Sequence, residues 1–261
     1  MRDCLVSSCQ PSAVGHQLLA IDIGNTNVTL GLFEGGKLKS HWRLETKACA
    51  KDFFQSKKSD FKKVDGVAIS SVVPSLNQNF SDLSLEYFGQ KPLWVTQETA
   101  GIPLRVDTPS EVGADRLCNA KATWEKFKSA AIVVDFGTAT TFDIITAKGE
   151  YGGGAIIPGL QVAANSLAAT TAQLPEVEIA KPKRVVGRNT IECIQAGLYY
   201  GYVGMIDHLI DLSRKEEGIP MKVIATGGLA PLIAKESKFI EGVEPFLTLE
   251  GLHYIWLIAD G

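Results

Sequence analysis

Two stretches decide the fold: Leu18-Leu19-Ala20-Ile21-Asp22-Ile23-Gly24-Asn25-Thr26 and Ala131-Ile132-Val133-Val134-Asp135-Phe136-Gly137-Thr138-Ala139. Each runs from an apolar segment suited to a buried strand into an Asp, one further residue, a Gly and a polar turn. After each turn an extended pattern resumes, over Val28 to Phe33 in the first and Thr141 to Thr146 in the second. The second copy begins near the middle of the chain, a spacing far too long for a solenoid repeat. The echo implies a duplicated α/β domain, each half opening with a β-hairpin that carries an Asp at its bend.

Around the first copy, Gly35-Gly36 predicts a hairpin turn. Leu38, Ser40, Trp42 and Leu44 then alternate with Lys37, Lys39, His41 and Arg43, which completes a three-stranded meander. A strand over Val67 to Val73, ended by Pro74, precedes a helix marked by Leu76, Phe80, Leu83 and Tyr87. Pro92 to Thr96 reads as a strand and residues 97–108 as a loop. Thr108-Pro109-Ser110-Glu111 has the composition of a helix start, with a Thr cap, Pro at the first position and Glu at the third. Leu117, Ala120, Trp124 and Phe127 give that helix its buried stripe.

Beyond the second copy, Gly152-Gly153-Gly154 leads through Ala155-Ile156-Ile157 to Pro158, and Leu160, Ala164 and Leu167 predict a helix. Asn189 to Glu192 resembles a capping box before a long helix reaching about Lys215. A strand over Lys222 to Ala225 ends at Thr226-Gly227-Gly228, and a helix over Leu249 to Ile258 closes the chain. The organisation expected is a polar leader over 1–17, a first half over 18–112 and a second over 113–261.

Of the 261 residues, 45% are apolar and 21% charged, a balance that supports a sizeable core rather than disorder. The net charge of −3 argues against a nucleic-acid binder, which needs a basic surface to displace counterions. The basic cluster of Lys57, Lys58, Lys62 and Lys63 is interrupted by Asp60 and Asp65 and reads as a solvated face. Five scattered cysteines (Cys4, Cys9, Cys49, Cys118, Cys193) form no Cys-x-x-Cys pair, and no His stands at metal spacing. They point to a reducing compartment. No apolar run is long enough to span a bilayer, and the first residues lack a signal-peptide core. A cytoplasmic protein without membrane or nucleic-acid partners is expected.

An Asp at the end of a buried strand has a fixed backbone and an exposed carboxylate. A Gly two residues on lets a polyphosphate approach the backbone, and the Asn or Thr beside it adds donors. Phosphoryl transfer asks mainly for positioning and charge neutralisation, and magnesium commonly needs only one or two protein carboxylates. A single Asp-x-Gly more often caps a turn, but two copies on matching strands suit a clamp on ATP. Neither a P-loop sequence nor a Gly-x-Gly-x-x-Gly fingerprint is present. Gly113-Ala114-Asp115-Arg116 is the second candidate: Arg116 can fork onto a carboxylate and Asp115 can accept a hydroxyl proton. It reads equally as a surface ion pair. Thr226-Gly227-Gly228 fits either a nucleotide base or a plain strand-to-helix turn, and Thr190 either a substrate contact or a structural first-turn residue.

Taken together, Asp22-Ile-Gly-Asn-Thr-Asn, Glu111-Val-Gly-Ala-Asp-Arg, Asp135-Phe-Gly-Thr-Ala-Thr-Thr, Gly152-Gly-Gly-Ala-Ile-Ile-Pro-Gly and Ala225-Thr-Gly-Gly-Leu resemble type III pantothenate kinase, in order and spacing, from about Leu18 onward. The resemblance implies the acetate and sugar kinase, Hsp70 and actin fold, with duplicated ribonuclease-H-like domains, in a homodimer. It implies ATP-dependent phosphorylation of pantothenate, the first step of coenzyme A synthesis. By position, Asp22, Ile23, Gly24, Asn25, Thr26, Asn27, Val28 and Thr29 would form the first phosphate loop, with Asp22 toward the magnesium that accompanies ATP. Thr138 would contact ATP. Asp115 would be the proton acceptor for the pantothenate hydroxyl, and Gly113, Ala114, Asp115, Arg116 and Thr190 would hold pantothenate. Asp135 would bind a monovalent cation, potassium or ammonium. The chain departs from the pattern in three places: Val106 stands where many members line the pantothenate site with Tyr, the stretch from Thr46 to Lys63 is short, and a leader precedes the first strand. A non-catalytic regulatory accessory factor of the same fold and a kinase for another small hydroxy acid are the alternative readings.

Overall fold

The computed structural model describes residues 16–259, so all but the last two residues of the leader, with Cys4 and Cys9, lie outside the described residues. The chain divides into two compact units, one running to Val95 and resuming at Leu252, the other spanning Thr96–Gly251.

In the first unit β1 (Gln17–Ile23), β2 (Asn27–Glu34) and β3 (Lys37–Glu45) form the expected meander. Gly35 and Gly36 turn β2 into β3 with φ of 54° and 77°, a two-residue bend whose positive φ values favour glycine. The side chains of β3 alternate between exposed and half-buried along its whole length, as the Lys37 to Leu44 pattern requires. β4 (Val64–Ser71) lies parallel to β1, and β5 (Leu93–Trp94) is the short outer strand, giving the order β3-β2-β1-β4-β5. Strand β4 begins three residues before the sequence suggests and stops at Ser71. Pro74 does not end it but opens α2 (Pro74–Phe88), where its missing N–H is no loss.

A short helix, α1 (Ala50–Ser56), occupies the stretch that sequence reading left without an element. Its Phe54 packs between Phe61, Tyr87 and Phe88 at ring separations of 5.6–5.9 Å. Together with Phe80 of α2, these rings pack in one core with Ile21, Leu30 and Ile69 of the sheet. Burying each such side chain contributes about 1.5–3 kcal/mol.

The second unit contains α3 (Ala114–Phe127), β6 (Ala131–Phe136), β7 (Ala139–Ile145) and β8 (Tyr151–Pro158). They are followed by α4 (Leu160–Thr170), α5 (Thr190–Glu217), β9 (Lys222–Thr226), α6 (Ala230–Ile233) and β10 (Gly242–Val243). The sheet order is β8-β7-β6-β9-β10, the same plan as the first: an antiparallel meander on one side and parallel strands on the other. One face packs Ile132, Val134, Phe142 and Val223 against Tyr199, Ile206 and Ile210 of α5. The Asn189 side chain accepts the amide of Glu192 at 2.9 Å, and Glu192 answers onto the amide of Arg188 at 3.0 Å. This is a capping box shifted by one residue on its return arm.

The helix start at Thr108 is corrected. Residues Pro109–Glu111 make a single 3-10 turn, the Thr108 hydroxyl accepts no capping hydrogen bond, and Val112 returns to extended backbone. The true helix opens at Ala114, with Gly113 as its cap residue. The final helix, α7 (Leu247–Ala259), is longer than the pattern suggested. Its Trp256 lies so close over Gly66 that a Cβ there would come within 2.4 Å of the indole nitrogen. His253 stacks on Phe33 at 4.8 Å, a packing histidine as its isolation in sequence implies. No helix among the described residues is long and apolar enough to cross a membrane.

Candidate active site

In the first unit the Asp22 bend is held by its own backbone and by two neighbouring strands. Gly24 donates to the carbonyl of Asn27 at 3.0 Å, and a Cβ on Gly24 would meet that same oxygen at 3.0 Å. The Thr46 hydroxyl donates to the carbonyl of Gly24 at 2.6 Å, and the Thr46 amide to that of Thr26 at 3.0 Å. Asn25 and Thr26 therefore stand exposed at the tip of a fixed loop, and Ile23 and Val28 are buried at its base. Asn27 and Thr29 are partly buried where β2 begins. The Asp22 carboxylate, half-buried, accepts the Ser70 hydroxyl at 2.6 Å.

In the second unit the bend repeats this arrangement. Gly137 donates to the carbonyl of Ala139 at 3.1 Å, leaving Thr138 exposed. Gly159 donates to the carbonyl of Thr138, and any side chain at 159 would collide with that carbonyl at 2.3 Å. The register places Asp135 opposite Thr141 and Thr226, as Asp22 stands opposite Thr29 and Ser70.

Asp135 joins a dense polar cluster with residues of α3. Its Oδ2 accepts the Asn119 amide at 2.9 Å, and Asn119, wholly buried, accepts the Thr248 hydroxyl at 2.8 Å. Gly227, with φ of 89°, brings the β9 turn so close that a Cβ would lie 2.6 Å from Asp135 Oδ1. Burial, the nearby Asp115 carboxylate and, more weakly, Asp143 push the Asp135 carboxyl up to about 7, against the Asn119 hydrogen bond.

Asp115 stands in the first turn of α3, where its Oδ1 accepts the amide of Arg116 at 2.8 Å. Burial raises its carboxyl above the ordinary value, opposed by that amide and by the Arg116 charge. A carboxylate made more basic by burial, at the positive end of a helix, is suited to take a hydroxyl proton. Arg116 reaches from the same turn to Asp143, where Nε donates to Oδ1 at 2.6 Å, and its Nη2 meets the carbonyl of Phe142 at 3.4 Å. The Tyr151 hydroxyl donates to the same Asp143 oxygen at 3.1 Å.

Among the sequence-selected residues, the structure brings Gly113, Ala114, Asp115, Arg116 and Asp135 into one cluster. Val106 lies in the loop entering it, half-buried, with Cγ1 3.6 Å from the position of a Cβ on Gly153. Thr190 opens α5, exposed, and shares no hydrogen bond with the cluster among the described residues. The Asp22 loop belongs to the other unit. Sequence reasoning missed Ser70, Asn119, Asp143 and Tyr151. A charged residue inside the apolar run Phe142 to Ile145 was the signal for Asp143, since an Asp in a buried strand has to be paired. Among the described residues no three His, Cys, Asp or Glu side chains gather as a metal cage.

Known proteins resemble this chain in sequence and in fold. A family model described as type III pantothenate kinase matches residues 18–212. Type III pantothenate kinase of Myxococcus xanthus is 47% identical over 249 residues, covering 92% of this chain and 97% of that protein. That of Anaeromyxobacter dehalogenans is 49% identical over 248 residues, covering 91% and 98%. Among solved structures, a Campylobacter jejuni protein described as a Baf family transcriptional activator superposes with a TM-score of 0.62 at 18% identity, covering 93% of this chain and 98% of that one. Component A of the (R)-2-hydroxyglutaryl-CoA dehydratase of Acidaminococcus fermentans gives 0.53 at 14%, covering 94% and 97%. At such identities these two likenesses concern the fold alone, a duplicated ribonuclease-H-like fold of the acetate and sugar kinase, Hsp70 and actin type. The chain belongs to the type III pantothenate kinase family.

Proposed function

We propose that this chain transfers the terminal phosphoryl group of ATP to the hydroxyl of pantothenate, giving 4'-phosphopantothenate for coenzyme A synthesis, with the following division of roles. Asp22 to Thr29 take the phosphates, using loop amides and the side chains of Asn25, Thr26 and Thr29, and Thr138 adds a second contact to ATP. Asp115 accepts the hydroxyl proton. Gly113, Ala114 and Arg116 bind pantothenate beside it, with Val106 lining the site and Thr190 adding a contact.

One observation carries this reading: a half-buried carboxylate of raised basicity next to a guanidinium on the first turn of α3. The carboxylate supplies the base, and the guanidinium supplies a partner for the acceptor's own carboxylate.

Two ions accompany the reaction in this reading. Magnesium travels with ATP and needs little from the protein beyond Asp22, which suits a site with no carboxylate cage. Asp135 fits a monovalent cation such as potassium or ammonium. Its donors are oxygens, and it stands near two further carboxylates, Asp115 and Asp143, in a charge excess a cation would relieve. Held by Asp135, the cation would supply positive charge to a site rich in carboxylates.

A homodimer is supported by the outer face of α5. Ile191, Met205 and Leu212 are exposed there, and among the described residues a Cβ on Gly197, Gly201 or Gly204 would meet nothing within 4 Å. The exposed thiols of Cys49 and Cys193 suit the cytoplasm.

Mass spectrometry of the acceptor after incubation with ATP and magnesium tests the assignment. Pantothenate heavier by one phosphoryl group is expected, and ATP hydrolysis with unmodified pantothenate would refute it.

A further inference from the structure

Arg116 carries five N–H donors in a planar fork, and the protein itself grips only one edge of that fork. Nε is committed to Asp143 Oδ1 at 2.6 Å, and Nη2 leans toward the carbonyl of Phe142 at 3.4 Å. Both acceptors lie on β7, so the Nε side of the guanidinium is fixed to a strand. The opposite edge, Nη1 with the second hydrogen of Nη2, makes no hydrogen bond with any described side chain or carbonyl.

Asp143 is built to hold this position. Its residue is fully buried, and its two oxygens accept three donors: Arg116 and Tyr151 on Oδ1, and the Thr141 hydroxyl on Oδ2 at 3.1 Å. A buried carboxylate so fully satisfied is rigid. Burial pushes its carboxyl up to about 6, opposed by the Arg116 charge and by the hydrogen bonds from Arg116 and Thr141.

Tyr151 in turn is locked by its backbone. Its amide donates to Pro103 and its carbonyl accepts from Arg105, both at 2.8 Å, which fixes the loop leading to Val106. Gly154 stands opposite Asp143 on β8, and a Cβ there would collide with the Phe142 carbonyl at 1.6 Å and approach Arg116 Nη2 at 3.4 Å. Glycine at 154 thus clears the path of the arginine.

We propose that Asp143, locked by Tyr151 and Thr141, is a positioning residue that clamps one edge of Arg116 so that the other edge is presented, pre-aligned, to the carboxylate of the acceptor. This rests on the assignment of Arg116 to pantothenate made above. The clamp would set selectivity for acidic acceptors over neutral ones of the same shape. A guanidinium with one free edge binds a carboxylate through two parallel hydrogen bonds, and a neutral hydroxyl cannot use that geometry.

The test measures kcat and KM for pantothenate, for its uncharged alcohol analogue pantothenol, and for ATP. It compares wild type with Asp143→Asn, Tyr151→Phe and Arg116→Lys, each checked for native circular dichroism. Asp143→Asn is expected to raise KM for pantothenate by about 10- to 100-fold, the value of one charge-assisted hydrogen bond. Its KM values for pantothenol and ATP should stay at the wild-type level. Tyr151→Phe, which keeps the ring, should shift the same parameter in the same direction by a few-fold, and it decides the matter if Asp143→Asn fails to fold.

An unchanged pantothenate KM, or an equal rise for pantothenate and pantothenol, would overturn the clamp. Discrimination lost in Arg116→Lys but kept in the Asp143 and Tyr151 variants would overturn the clamp while leaving Arg116 in its binding role. If wild type and Arg116→Lys treat the two acceptors alike, the binding role of Arg116 itself is wrong, and the clamp falls with it.

Discussion

Ser70 and Asp22 face one another in register across the parallel strands β4 and β1, and the serine hydroxyl donates to the carboxylate at 2.6 Å. The second sheet repeats the relationship with Thr226 opposite Asp135. Each half thus places a hydroxyl residue of a parallel neighbour beside its bend carboxylate. The duplication extends past the strand order to individual side chains.

Ser70 fixes the rotamer of the carboxylate assigned to magnesium, so Ser70→Ala should loosen it without unfolding the sheet. The expected result is a rise of about tenfold in the apparent KM for Mg–ATP, as for other partners that orient metal ligands, with the pantothenate KM unchanged. Steady-state kinetics at varied magnesium checks this, and an unaltered magnesium dependence would contradict the role.

Asp115→Asn should lower kcat by about 10²- to 10⁴-fold, the usual contribution of a general base, while ATP still binds with near-normal affinity in calorimetry. Only the ionised carboxylate can take a proton. Because burial raises its affinity for protons, wild-type kcat should fall on the acid side with a midpoint above the ordinary Asp value of 3.8. A variant that turns over near the wild-type rate would remove Asp115 from that role.

For Asp135 the stability effect has a definite sign. Its carboxyl titrates at about 7 in the folded protein against 3.8 in a free Asp. Between those values the folded state holds a proton that the unfolded chain has lost, so this group's contribution to stability falls as pH rises and is gone above about 7. Asp135→Asn escapes the penalty. Allowing for the residue's partial exposure, the gain is about 2 kcal/mol at pH 8, or about 5 °C in melting temperature for a chain of this size. Near pH 4 the two proteins should melt alike. Added potassium should raise the wild-type midpoint at pH 8 and leave that of Asp135→Asn where it is. Thermal melts without potassium or ammonium, and then with potassium, read all three.

Gly227→Ala meets two obstacles: a φ of 89° and a Cβ 2.6 Å from both Asp135 Oδ1 and the Phe136 carbonyl. Strain of this kind costs about 1–3 kcal/mol. The variant should melt lower and require more potassium for half-maximal activity. A midpoint equal to wild type would show that the β9 turn moves freely.

The parts of this molecule that were legible in sequence are those in which local pattern and tertiary role coincide. Asp22 and Asp135 stand near the ends of strands so apolar that burial was the natural reading, and the glycines two residues on mark bends in which a Cβ would crowd a carbonyl. Asn189 and Glu192 carry a cap the helix uses. Thr108 misled because Pro109 and Glu111 suit a first turn, yet Val112 breaks it after three residues. Helix α1 escaped notice because seven residues show little periodicity, and its anchor, Phe54, is explained only by Phe61, Tyr87 and Phe88, which lie elsewhere in the chain. The clamp on Arg116 was illegible for the same reason: Asp143 is 27 residues away, and only the register of β7 brings it under the guanidinium.

ADP release, followed with and without pantothenate in the presence of magnesium and potassium, tests the central claim most directly. The account predicts release that depends on pantothenate, saturates with it and drops sharply when potassium is withdrawn. Folded protein that releases ADP at the same rate whether or not pantothenate is present would contradict it.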